Sequence, residues 1–201
     1  MTERWAIDIK ARVGLGRTAD EGRADGRLRV FFVSSEIFPL AKTGGLADVS
    51  ASLPTALASQ GVDPLLFMPG YPAVLDAVVN KRVLFDLSEQ PGLGEARIIA
   101  GWMPDTSLPV WLLDAPALFD RDGGPYQDEN GQDWRDNAQR FGLFCRAAAM
   151  MAANWLPDIV HLNDWQTGLT ALFLHQAPAR GRRPCSPSTI WRSKVCSVMA
   201  T

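Results

Sequence analysis

Three short constellations carry the residue types that could do chemistry. The first is Lys42-Thr43-Gly44-Gly45-Leu46-Ala47-Asp48. Two adjacent glycines let backbone N–H groups approach a ligand without obstruction by side chains. A helix beginning there would aim its positive dipole end at the same point, and Lys42 adds a mobile cation. Such a turn suits a phosphate or diphosphate. It equally suits a plain tight loop with a solvated lysine, and the string is neither G-x-G-x-x-G nor G-x-x-x-x-G-K-[ST]. The second constellation is Asp136-Asn137 with Arg140 and Phe141. It reads either as a helix N-cap with a first-turn ion pair or as a polar cluster facing a ligand. The third is His161-Leu162-Asn163-Asp164-Trp165-Gln166. Here His161 could be structural or functional, Asp164 could cap a helix, and Trp165 could pack in a core or stack on a ring.

The surrounding pattern supplies elements to position these groups. An apolar run from Leu28 to Val33 predicts a strand, broken after Ser34-Ser35-Glu36 by Pro39. Leu46, Val49, Leu53 and Leu57 recur at three- and four-residue intervals and predict a helix buried along that stripe. Gly61 ends it, and Leu65-Leu66-Phe67-Met68 predicts a second strand closed by Pro69-Gly70. Val83-Leu84-Phe85, Arg97-Ile98-Ile99 and Val110-Trp111-Leu112-Leu113 predict further strands in an antiparallel excursion or meander. Residues 120–133 form a polar loop, 137–154 a long helix, Ile159 to Leu162 a buried strand and 166–176 a last helix. Apolar strands alternating with helices predict an α/β fold around a mostly parallel, Rossmann-like sheet covered on both faces.

The 201 residues are 47% hydrophobic and 21% charged with a net charge of −2, a composition that supports a packed core and gives no sign of nucleic-acid binding. No apolar run reaches the roughly 18 residues needed to cross a membrane, and no charged-then-apolar leader opens the chain, so the expected setting is cytoplasmic. Cys145, Cys185 and Cys196 form neither a disulfide framework nor a metal-ligand spacing, and no metal or cofactor is expected. Residues 1–26 are polar with scattered glycines and read as a flexible extension or an over-long start.

Val33-Ser34-Ser35-Glu36 through Pro39, followed by Lys42 to Val49, resembles the amino terminus of bacterial glycogen synthases and plant starch synthases. The resemblance spans about residues 28–182. It implies a retaining glucosyltransferase that moves glucose from ADP-glucose to the non-reducing end of an α-1,4-glucan. It also implies the GT-B architecture, two Rossmann-like domains with the active site between them. Residues 27–182 would then be most of the first domain, and the catalytic glutamate, an Arg/Lys pair for the diphosphate and most nucleotide contacts would lie in the second. By that resemblance Lys42 lies beside the diphosphate, Gly44 and Gly45 allow close backbone approach, and Asp48 binds substrate. Asp136, Asn137 and Arg140 touch the glucose or the acceptor glucan, where a carboxylate accepts from and a guanidinium donates to sugar hydroxyls. His161, Asn163 and Asp164 line the cleft. Family members carry a His-x-[His/Asn]-Asp-Trp segment bordering the glucose site, and this chain has Asn163 in the middle position and Gln166 after the Trp. Asn163 and Gln166 here can hydrogen-bond a sugar but do not titrate near neutral pH, which removes a histidine-borne proton role at those positions. Two other readings are a truncated, non-catalytic chain that at most binds glucan, and a related GT-B glycosyltransferase using another sugar nucleotide.

The composition changes after about Arg182. Residues 183–201 hold no acidic residue, two cysteines and no useful period. Back-translated with synonymous codons and read from one base earlier, residues 184–201 become TVFTIHNLAFQGLFGHGD. That matches the strand and loop that the family places here, so 183–201 reads as a frameshifted tail following the net loss of one nucleotide near codon 183. Resequencing the source DNA over codons 175–201 is expected to show a reading frame that yields this string. DNA that cannot be read this way rules the frameshift out.

Overall fold

The structure is a computed structural model that describes residues 26–90 and 92–176 and the backbone of 194–198. Nearly all of the expected amino-terminal extension lies outside the described residues. So does the expected frameshifted tail, apart from that backbone segment.

Seven strands form one sheet: β1 (Arg29–Val33), β2 (Asp63–Pro69), β3 (Val79–Asp86), β4 (Arg97–Trp102), β5 (Pro109–Asp114), β6 (Ile159–Asn163) and β7 (Lys194–Val198). Their order across the sheet is β3-β4-β5-β2-β1-β6-β7. Pairings from β5 through β7 are parallel, while β4 runs antiparallel to both β3 and β5. The mostly parallel α/β sheet and the antiparallel excursion are as the sequence predicts. The helices are α1 (Gly45–Ser59), α2 (Pro72–Ala77), α3 (Pro116–Phe119), α4 (Asn137–Trp155) and α5 (Leu169–Gln176), with a 3-10 turn at Trp165–Thr167. The short α2 and α3, each opened by a proline in its first turn, have too few residues to show a period.

The core follows from strand alternation. Phe31, Phe67 and Trp111 come from neighbouring strands and meet α4 through Phe144 and Trp155. The Phe67 and Phe144 rings stack with centroids 5.2 Å apart, and Phe31 lies 6.0 Å from Trp155. The alanine run Ala147-Ala148-Ala149 lets α4 lie close against its neighbours, and all three are buried.

One expectation needs correction. Helix α1 does not bury the Leu46–Val49–Leu53–Leu57 stripe. Its buried residues are Ala47, Ser50 and Pro54, Leu53 and Leu57 pack only partly, and Val49 is 49% exposed. Small residues bring this helix close to the strand ends, where Ser50 Oγ meets Ser34 Oγ at 2.9 Å. A leucine-and-valine stripe would hold the helix further off. Beyond β6 the sheet is continued by a segment of the 183–201 stretch. Residues 194–198 run parallel to β6, from Ile159↔Lys194 to Asn163↔Val198. The free N–H and C=O groups of β6 offer a template for such an extended segment.

His161 lies within β6, in register with Phe32 of β1, and its ring stacks on Phe32 at 4.2 Å. Burial pushes its pKa below the ordinary 6.5, partly offset by a hydrogen bond with Asn163. The fold therefore prefers the neutral imidazole, and the unfolded chain takes up the proton first as pH falls. Stability contributed by this group is present above pH 6.5 and is lost as pH drops towards the lower folded pKa. An NMR titration of the His161 ring is expected to give a midpoint below 6.5, and a midpoint at or above 6.5 contradicts this assignment.

Candidate functional site

The connection from β1 through α1 reaches β2 on one side of β1, whereas α4 returns the chain to β6 on the other side. The sheet order therefore reverses between β1 and β6, and in open α/β sheets ligands bind outside the carboxyl ends of the strands at such a point. A cleft of ≈ 490 Å³ lies there. Its lining includes Glu36 after β1, Gly44 and Gly45 at the start of α1, Tyr126 from the 120–133 loop, and Asp164 and Trp165 after β6.

Gly44 is the N-cap of α1, in extended conformation (φ −152°, ψ −159°), and no side chain caps this helix end. Neither Gly44 nor Gly45 has a positive φ, and a Cβ at either would meet nothing within 4 Å. The fold itself does not require glycine at these positions. What the missing side chains leave open is the approach to the helix N-terminus from the cleft. Beside it, Lys42 Nζ lies 2.7 and 2.8 Å from the two Asp48 carboxylate oxygens, both side chains being about half exposed. The two charged residues predicted as ligands are brought together and hold each other. An exposed pair of this kind contributes roughly 0–1 kcal/mol, so an incoming anion displaces it at little cost.

Sequence reasoning quoted Glu36 but gave it no role. Its side chain, 2% exposed, accepts hydrogen bonds from the Thr43 N–H, from Thr43 Oγ1 at 2.7 Å and from Tyr126 Oη at 2.5 Å. Tyr126 Oη also shares a hydrogen bond with Ser35 Oγ at 2.8 Å. Burial, together with the Glu36 bond, raises the Tyr126 pKa far above the ordinary phenol range, so the phenol remains a donor. One residue thus ties the end of β1 to the glycine turn and to the 120–133 loop. The available signal was position, since Glu36 follows directly on a buried parallel strand.

The Asp136-Asn137-Arg140 constellation serves the same loop. Arg140 is 1% exposed and donates from Nε to the Leu118 carbonyl at 2.8 Å, and from one terminal nitrogen to the Pro125 carbonyl at 2.9 Å and to Asn137 Oδ1 at 2.7 Å. Asn137 Nδ2 donates to the Tyr126 carbonyl at 2.9 Å. Asp136 takes the N-cap position of α4 but makes no capping hydrogen bond. Its carboxylate pairs with Arg121 at 2.8 and 2.5 Å, and these bonds hold its pKa below the usual range. The first-turn ion pair with Arg140 does not form. Arg140 and Asn137 fasten the wall of the cleft through these bonds.

At the end of β6, buried Asn163 donates from Nδ2 to the Val33 carbonyl at 3.0 Å, bridging β6 to β1. Asn163 supports the cleft from below, and His161 packs on Phe32 as described. Asp164 itself adopts φ 64°, ψ 178°, a region that favours glycine. Strain of this kind persists where surroundings enforce it and concentrates at functional sites. Its carboxylate accepts from the Trp165 N–H at 2.6 Å, as expected of a cap. Trp165 is 56% exposed, with one edge braced by Phe141 at 5.3 Å and by Tyr126 at 6.3 Å. Gln166 is 3% exposed and lines the cleft, and its Oε1 has no hydrogen-bond partner. A buried carbonyl oxygen left without a donor is costly and fits a ligand donor such as a hydroxyl. The site therefore offers an anion-binding turn, hydroxyl-binding groups and an aromatic face. Among the described residues no cluster of His, Cys, Asp and Glu could hold a metal, and no helix is long and apolar enough to cross a membrane.

A family model described as the starch synthase catalytic domain matches residues 29–190. The glycogen synthase of Paramagnetospirillum magneticum is 49% identical over 169 residues, which cover 81% of this chain and 34% of that protein. The glycogen synthase of Burkholderia thailandensis is 50% identical over 165 residues, 80% of this chain and 30% of that protein. The catalytic domain of starch synthase IV from Arabidopsis thaliana, solved bound to ADP and acarbose, superposes with a TM-score of 0.65 at 29% identity. That match covers 85% of this chain and 33% of the other. The chain spans about a third of the length of the curated relatives it matches.

Arg140→Met separates the two roles open to Arg140. Removing the buried guanidinium leaves the Leu118 and Pro125 carbonyls without their donor, and a loss of about 3 kcal/mol or more is expected in urea unfolding. Limited proteolysis between residues 120 and 133 is expected to accelerate. An unchanged unfolding midpoint and cleavage rate would return Arg140 to the ligand-binding role.

Proposed function

This chain belongs to the starch synthase catalytic domain family, and from that premise we propose that its cleft binds the sugar-nucleotide donor of a glycogen synthase. The proposed reaction moves glucose from ADP-glucose to the non-reducing end of an α-1,4-glucan with retention at the anomeric carbon. The bond between the anomeric carbon and the diphosphate oxygen breaks, ADP departs, and the glucan hydroxyl oxygen forms the new bond as it loses its proton. The cytoplasm is the proposed setting, with ADP-glucose and glucan as partners.

One observation carries the reading: two glycines that the fold does not need stand open at a helix N-terminus, at the topological switch point of the sheet. In the proposed complex the diphosphate lies against this turn. Lys42 leaves Asp48 to meet it, and a fixed cation there strengthens its interaction as charge builds on the departing diphosphate. Asp164 and Gln166 receive sugar hydroxyls, and Trp165 offers a flat face to a sugar ring. The starch synthase IV neighbour, solved with ADP and acarbose, supports a nucleoside diphosphate and an oligosaccharide as the ligand classes. The relatives are about three times as long, and the groups that act on the anomeric carbon are assigned to that further length. The proposed organisation is a catalytic-domain segment at 27–182 followed by frameshifted sequence from 183.

Gly45→Ala tests this with effects of opposite sign. Alanine in the first turn of α1 meets no atom and removes backbone freedom from the unfolded chain, so thermal stability is expected to hold or rise by up to about 1 kcal/mol. ADP affinity, measured by isothermal titration calorimetry, is expected to fall about tenfold or more, because the methyl group occupies the approach to the helix end. Equal ADP affinity in the parent and the variant would sink the assignment of the turn.

A further inference from the structure

We infer that Glu36 is a positioning residue for the donor diphosphate, acting through the glycine turn rather than by touching the ligand. The inference rests on the proposed donor site and adds a determinant of its geometry.

A carboxylate beside a site for a polyanion is unfavourable as a bare charge. Here it is buried, and both of its oxygens are occupied by donors from the segments that shape the site. Thr43 presents its N–H and its hydroxyl to Glu36, which turns the residue immediately before Gly44 inward. The N–H groups at the start of α1 are then left facing the cleft. Tyr126, bonded to the same carboxylate, brings the opposite wall against the turn. Ser34 fixes Glu36 in turn, since its hydroxyl donates to the Glu36 carbonyl at 2.7 Å and meets Ser50 of α1 at 2.9 Å. The end of β1, the first turn of α1 and the loop wall are therefore locked to one another through a single side chain.

Glu36→Gln distinguishes positioning from charge. The amide has a single acceptor oxygen, so either its NH2 faces the Thr43 N–H or the Thr43 and Tyr126 hydroxyls must turn round to accept from it, and in both cases weaker neutral bonds replace the charge-assisted ones that hold the turn. If Glu36 acted only as a nearby negative charge, removing that charge would tighten binding of an anion. If it positions the turn, the same change weakens binding. ADP affinity is measured by calorimetry on the full chain, at a temperature where circular dichroism shows the variant folded. The expected result is a loss of about tenfold or more for Glu36→Gln. Thr43→Val removes one of the Thr43 bonds from an exposed residue and keeps the backbone N–H, so a loss of a few-fold is expected. Unchanged or tighter ADP binding in folded Glu36→Gln overturns the inference and leaves the donor site standing. Should Glu36→Gln fail to fold, Thr43→Val decides, and parent-like affinity there overturns the inference. A parent chain that binds no ADP overturns the donor-site reading, and this inference with it.

Discussion

Parallel pairing constrains everything else in this molecule. From β5 through β7 the strands run in one direction, so each must be reached by a crossover, and their carboxyl ends collect along one edge of the sheet. Because β1 pairs with β2 on one side and β6 on the other, the helices that follow β1 and β6 diverge as they leave that edge. A crevice at that place is a consequence of topology before any side chain is considered. Glu36, three residues past the end of β1, and Asp164, directly after β6, both lie in the cleft lining.

Two buried charged groups turn that crevice into a shaped site. A buried charge destabilises a fold unless its hydrogen-bonding capacity is filled. Arg140 donates to the Leu118 carbonyl ahead of the 120–133 loop, to the Pro125 carbonyl within it and to Asn137. Glu36 is filled by the glycine turn and by Tyr126 of that same loop. The loop carries few apolar residues of its own, so these polar ties, with Tyr126 and Trp134 as its aromatic contacts, fix its path. A polar loop held in this way can form a cleft wall without burying its backbone in a core.

The sequence was most legible where one local rule decides the outcome. Buried strands at Leu28–Val33, Leu65–Met68 and Ile159–Leu162, the long α4 and the glycine turn ahead of α1 all follow from composition and period, and the structure places them there. Reading failed where the partner is distant in sequence. Asp136 was expected to cap or pair within its own helix, yet its partner is Arg121, fifteen positions back across a loop. Arginine is rarely buried, and only tertiary structure supplies the carbonyls that permit it at Arg140. Val49 lay on the expected apolar stripe of α1, but close packing of that helix selects Ala47, Ser50 and Pro54 instead. The family resemblance names segments without distinguishing the side chains that hold the frame.

That division between frame and ligand-facing groups has an energetic logic. Glu36, Arg140 and Asn163 are buried, and their bonds span segments far apart in the chain, so breaking them exposes unsatisfied groups at a cost of about 1–3 kcal/mol each. Lys42 and Asp48 lie at the surface in a pair that solvent screens. The Gln166 Oε1 atom has no partner to lose, and Trp165 keeps much of its surface free. Contacts that must not change are thus deep and multiply bonded. Those that the proposed donor complex would exchange for a ligand are shallow, single or vacant. Substitutions in the first group should act mainly through stability and geometry, and those in the second mainly through affinity.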